Sequence, residues 1–180
     1  MANREFISAN ELYRDAFALA IQIVNSGYRP DTLLVIWRGG TPVGMVVHEF
    51  LTYRHIEPEH EVLKVASYSG IEDQAEVRIE HRDLLLRATT AGGSVLVVDD
   101  IFDSGRTIET LVVAIGGRAS EIRVATPYYK PASNQTDRVP DYYIRTTENW
   151  IVFPHEIVGL SADEIRQKGA DIARLVAPSE

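Results

Sequence analysis

Residues 94–107 read SVLVVDDIFDSGRT, and the rest of the chain is organised around this stretch. Ser94–Val98 is a short apolar run, the pattern of a strand buried on both faces. It runs into three carboxylates within five residues, Asp99, Asp100 and Asp103. Ser104-Gly105-Arg106-Thr107 then leads into a helix predicted over about Thr107–Ile115, stopped by Gly116-Gly117. A helix start offers unpaired backbone N–H groups and the positive end of the dipole, so it suits phosphate. Gly105 lets the backbone approach such an anion, and Ser104 and Thr107 add hydroxyl donors. Asp99 and Asp100 suit different partners: sugar hydroxyls or a divalent cation, because Mg²⁺ takes one or two carboxylates plus phosphate oxygens. An acidic cap on a surface helix accounts for any one of these acids but not for the whole stretch. Phosphate donors beside carboxylates suit a phosphorylated sugar.

The same strand-then-turn pattern occurs earlier. Thr32–Trp37 (TLLVIW) is a buried-strand run, and Arg38-Gly39-Gly40-Thr41 is the turn after it. Pro42 suits the first position of a helix reaching about Tyr53. Upstream, Ser8-Ala9-Asn10-Glu11 is a capping box before the helically spaced Leu12, Phe17, Leu19, Ala20, Ile23 and Val24, with Gly27 as the stop. Further strands are predicted at Val62–Ser67, Ile122–Thr126, Tyr142–Ile144 and Trp150–Phe153. Residues 68–76 and 131–139 read as loops, 82–90 as a short helix or turns, and Ala162–Val176 as a terminal amphipathic helix. Trp37 reads as core. Alternating strands and helices predict an α/β fold, a single domain of three layers around a central parallel sheet. In such sheets ligands bind beyond the carboxyl ends of the strands, where both turns fall.

The chain has 180 residues, 45% of them hydrophobic, a net charge of -8 and no Cys. This excludes a disulfide framework, a thiolate metal site and a cysteine nucleophile. The acidic balance argues against nucleic-acid and membrane partners, no apolar run is long enough to span a bilayer, and the expected location is cytoplasmic. The five histidines show no metal-ligand spacing.

VLVVDDIFDSGRT resembles the phosphoribosyl-pyrophosphate (PRPP) motif of the type I phosphoribosyltransferases. Arg38-Gly39-Gly40 is similar to that family's pyrophosphate loop, and Ser67-Tyr68 with the polar stretch after it (about residues 67–80) to its hood loop. Tyr129-Lys130-Pro131 and Trp150-Ile151-Val152-Phe153-Pro154, within about residues 128–155, resemble the base-binding part of the hypoxanthine and xanthine-guanine branch. The resemblance implies that Arg38 and Gly39 bind pyrophosphate, across an unusual peptide conformation. It implies that Asp99 and Asp100 face the ribose and Mg²⁺, with Asp100 the better metal ligand, and that Asp103 to Thr107, Arg106 included, hold the 5′-phosphate. Asp103 is then the acid/base for purine N7, Lys130 the donor to the 6-oxo group, Trp150 the stacking face, and the backbone at Ile151 the reader of the 2-position. Without the resemblance, Lys130 reads as a solvated surface lysine and Trp150 as core.

The implied activity is transfer of the phosphoribosyl group from PRPP to N9 of a 6-oxopurine, giving the mononucleotide and pyrophosphate. The transition state should resemble an oxocarbenium ion, and a lid, expected at 68–79, should exclude water. The implied partners are PRPP and a purine base, with assembly as a homo-oligomer, dimer or tetramer. Val152 and His155 depart from what some relatives carry, as does Ala75, whose missing charge Arg78 could supply. Two other classes fit parts of the chain. A non-catalytic PRPP- or nucleotide-sensing regulator would share the fold. An aspartate-based phosphatase or receiver domain would explain the acids but neither turn.

Overall fold

Chain order runs β1 (Arg4–Phe6), α1 (Ala9–Asn25), β2 (Thr32–Trp37), α2 (Gly40–Tyr53), β3 (Glu59–Tyr68), β4 (Glu76–Ile79), β5 (Ser94–Val98), β6 (Ile101–Phe102), α3 (Arg106–Ile115), β7 (Glu121–Ala125), β8 (Tyr128–Tyr129), β9 (Arg145–Thr146), β10 (Trp150–Val152), α4 (Ala162–Lys168) and α5 (Ala170–Val176). This computed structural model describes residues 3–68, 76–79, 85, 89 and 92–176. Two compact units result: Tyr13–Glu148, and a smaller one of Met1–Leu12 with Asn149–Glu180.

The larger unit is built on a five-stranded sheet in the order β4-β3-β2-β5-β7. The four strands β3, β2, β5 and β7 are parallel, and β4 is an antiparallel edge. Period-two alternation sets the layers. Leu34, Ile36, Val95 and Val97 share a core with Ile108, Leu111 and Ile115 of α3. Val35 points to the other face, where α2 lies so close that a Cβ on Gly44 would come within 2.5 Å of it. The sheet is thus covered on both faces, as its near-continuous apolar strands require. A second parallel sheet, β6-β8-β9, stands beyond the end of β5.

β2 and β5 are adjacent and parallel, with Val35 opposite Val98. Their carboxyl ends therefore release the turns at 38–40 and 99–103 at the same sheet edge.

In the smaller unit β1 pairs in parallel with β10, Arg4 opposite Trp150. Ser161 and Glu164 form a capping box at the start of α4, and Arg4 pairs with Glu164.

Several elements differ from the sequence expectation. The predicted terminal helix is two helices, α4 and α5, because Gly169 at φ 144° breaks it. Helix α2 begins at Gly40 rather than Pro42, which the first turn accommodates because its N–H would be unpaired anyway. Tyr142–Ile144 is not a strand. Tyr142 bridges Ala125, but Ile144 and Arg145 both donate to the carbonyl of Pro127, which has no N–H to continue the ladder, so β9 starts at Arg145. Trp37 is 49% exposed, since it closes β2 at the sheet edge where the chain turns away. The expected lid at 68–79 has strands on its flanks, with Arg78 opposite Ala66; residues 69–75, Ala75 included, lie outside the described residues. Of 82–90 only Leu85 and Thr89 are described, and Thr89 donates to the Leu85 carbonyl at helical spacing.

Candidate functional site

The two turns touch. A Cβ on Gly39 would sit 1.9 Å from Asp100 Oδ2, and one on Gly40 would sit 2.8 Å from the Val98 carbonyl oxygen. Only glycine allows the 38–40 turn to rest against the acid pair. The Gly40 amide donates to the Asp99 carboxylate, and the Asp100 amide donates to Asp99 Oδ1 at 2.9 Å. The Trp37–Arg38 peptide is cis, and the Arg38 side chain is exposed.

Burial, reinforced by the neighbouring Asp100 charge, pushes the Asp99 carboxyl well above the usual carboxylate range. Asp100 is only 9% exposed. Two adjacent, poorly hydrated carboxylates form a hard-oxygen donor set that a divalent cation would neutralise. No cluster of three or more His, Cys, Asp or Glu positioned for a metal occurs among the described residues. Asp99 and Asp100 could hold a magnesium ion whose remaining ligands are substrate oxygens and water.

Asp103, Ser104 and Gly105 form the loop before α3, and Arg106 and Thr107 are the first two residues of the helix. Gly105 is the residue preceding the helix, left-handed at φ 77° and without a side chain to cap it, and the Arg106 amide donates to Ser104 Oγ at 3.5 Å. The left-handed turn suits glycine, and the first amides of a helix have no partner within the helix, which suits them to an anion. Ile108, Leu111 and Ile115 anchor α3 in the core behind it.

Lys130 is 6% exposed, not a solvated lysine. Its amide donates to the Phe102 carbonyl at 2.9 Å, fastening the end of β8 beside the loop. Its Nζ donates to Asp103 Oδ2 at 3.1 Å. The ammonium is thus held in a buried place by a carboxylate whose side chain is 44% exposed. Asp99, Asp100, Gly39 and Gly40 are in contact, and Asp103 to Thr107 and Lys130 gather at the same sheet edge. Trp150 and Ile151 stand on β10 of the smaller unit, Trp150 56% exposed rather than core, and Ile151 buried.

Sequence reasoning missed a group behind the loop. Gln135 donates its amide to the Ser104 carbonyl at 3.0 Å, and a Cβ on Gly105 would meet Thr136 Oγ1 at 2.6 Å. Residues 131–139 read as plain loop, yet Ser, Asn, Thr and Asp in series are the residues whose side chains bond backbone, a signal that could have flagged them.

The phosphoribosyl transferase domain family matches residues 5–163. The chain is 32% identical over 158 residues to a xanthine-guanine phosphoribosyltransferase of Cereibacter sphaeroides, covering 84% of this chain and 86% of the relative. It is 30% identical over 136 residues to a hypoxanthine-guanine phosphoribosyltransferase of Lactococcus lactis, covering 73% and 70%. Its structure is similar to that of a purine phosphoribosyltransferase from Pyrococcus horikoshii, with a TM-score of 0.71, 28% identity and coverage of 88% and 97%. With the sheet, both turns and the acidic loop inside the matched span, the chain belongs to the phosphoribosyltransferase family.

Proposed function

We propose that the chain transfers the phosphoribosyl group of PRPP to N9 of a 6-oxopurine (hypoxanthine, guanine or xanthine). The observation that carries this is the Lys130 Nζ to Asp103 Oδ2 contact of 3.1 Å beside the start of α3. It offers a donor and an acceptor side by side. The edge of a 6-oxopurine in its N7–H form offers the complement, an acceptor at O6 and a donor at N7. A 6-aminopurine would turn an amine toward the ammonium, two donors facing each other, which the pair rejects.

In this reading the amides of 104–107 and the hydroxyls of Ser104 and Thr107 hold the 5′-phosphate. Asp99 and Asp100 orient the ribose, and Asp100 takes the larger share of magnesium. Arg38 and the amides around Gly39 hold the pyrophosphate. Magnesium, when bound, supplies charge neutralisation for the departing pyrophosphate. The bond from the anomeric carbon to pyrophosphate oxygen breaks, the bond to N9 forms, and the N7 proton passes to Asp103. Stacking on Trp150 and contact of the Ile151 backbone with the 2-position rest on the resemblance and on the similarity to the xanthine-guanine and hypoxanthine-guanine enzymes. The same resemblance supports a homo-oligomer. A cytoplasmic location fits the charge of the substrates, since neither a sugar pyrophosphate nor a nucleotide crosses a bilayer unaided. No helix among the described residues is long and apolar enough to cross a membrane.

The test is nucleotide formation from hypoxanthine, guanine, xanthine and adenine with PRPP and magnesium. Product from at least one 6-oxopurine and none from adenine is expected. Efficient use of adenine, or no product from any base, overturns the proposal.

A further inference from the structure

We propose that Asn134 is a positioning residue for the phosphate-binding loop, acting through a clasp that residues 134–138 close around the start of α3. The proposal rests on the phosphoribosyl-transfer reading above and adds the element that holds that site in shape.

A loop that presents its amides to an anion cannot use them to fix itself, so something else must. Ser104 is held through its carbonyl, by the Gln135 amide at 3.0 Å. Gly105 is held by contact, with Thr136 Oγ1 and the Phe102 ring on the side where a side chain would otherwise be. Thr136 is held by the Asn134 side chain, and Gln135 lies between the two. Its Oδ1 accepts from the Thr136 amide at 3.0 Å and from Thr136 Oγ1 at 3.0 Å. Its Nδ2 donates to the Arg138 carbonyl at 2.8 Å and to Tyr129 Oη at 3.3 Å. The orientation of this amide is unambiguous, because a backbone N–H can only donate and a carbonyl can only accept. Arg138 then reaches Glu109 in the first turn of α3, Nε to Oε2 at 3.4 Å.

One side chain thus ties three segments together: the loop that supports Ser104 and Gly105, the residue that pairs with α3, and the tyrosine preceding Lys130. The base side has its own anchor, the Lys130 amide on the Phe102 carbonyl. Loss of the clasp should therefore fall on the phosphate side. Without it, the loop must be ordered at the moment of binding, and that ordering is subtracted from affinity.

The experiment compares the full chain with Asn134→Ala and Asn134→Asp. It measures PRPP affinity by calorimetry with magnesium, the KM values for PRPP and for the base, and the thermal midpoint. Asn134→Ala is expected to raise the PRPP Kd and KM about tenfold while the KM for the base stays within about twofold. Asn134→Asp keeps the acceptor for Thr136 but turns an oxygen toward the Arg138 carbonyl, so it is expected to recover part of the PRPP affinity. Unchanged PRPP affinity in Asn134→Ala, an equal loss for PRPP and base together with a collapsed thermal midpoint, or no recovery in Asn134→Asp overturns the proposal. If the unsubstituted chain binds no PRPP, the functional reading falls and takes this inference with it. If it binds and Asn134→Ala matches it, only the clasp falls.

Discussion

Gly39 is where the two halves of the site meet. Any side chain there would enter the space of the Asp100 carboxylate, at 1.9 Å from Oδ2. Gly39→Ala must therefore displace either the acid or the turn, and displacement of catalytic groups by about 1 Å can cost on the order of 100-fold in rate. A fall in kcat/KM of that order is expected, with circular dichroism unchanged; activity within threefold of the parent chain would show that the contact is dispensable. The sequence displayed the candidate residues here because charges and glycines in a strand-to-helix turn are visible as letters. It did not display their pairing. That Lys130 is buried against Asp103, 27 residues away in the chain, depends on β8 docking beside β6.

At the level of elements, β2 and β5 are locked together at their amino ends, opposite the site. Asp31, just before β2, accepts from the Ser94 amide and from Ser94 Oγ, both at 2.8 Å. These hydrogen bonds hold the Asp31 carboxyl below its usual range. A carboxyl lowered in the folded state stabilises it above the unfolded-state value of about 3.9 and loses that contribution as pH falls through the folded value. The parent chain should therefore melt above Asp31→Ala at pH 6, and the gap should close as the solution is acidified below the carboxylate range. A gap independent of pH would mean that the carboxylate charge plays no part. Strand and helix positions were legible because apolar runs and caps are local. Element ends were less so: Gly169 divides the terminal helix, and the carbonyl of Pro127 gathers two donors that a regular strand would have spaced out.

For the molecule as a whole, the site depends on the core that α3 shares with the sheet. Leu111 is fully buried between α3 and that face. Leu111→Ala should cost about 2–5 kcal/mol by denaturant unfolding, the usual range for a leucine truncated in a packed core. A loss below about 1 kcal/mol would mean that the site could collapse around the gap. The alternation of the main strands and helices, the acidic loop, the arginine-glycine turn and the family resemblance were determined by the sequence alone. These depend on local periodicity and on which residues stand next to each other along the chain. The tertiary structure decided what came from remote segments meeting: Gly39 against Asp100, Lys130 on Asp103, and the Gln135 amide on the Ser104 carbonyl. Such contacts follow from the order of strands in the sheet, which places residues far apart in sequence at one edge, and no local pattern of letters records that order.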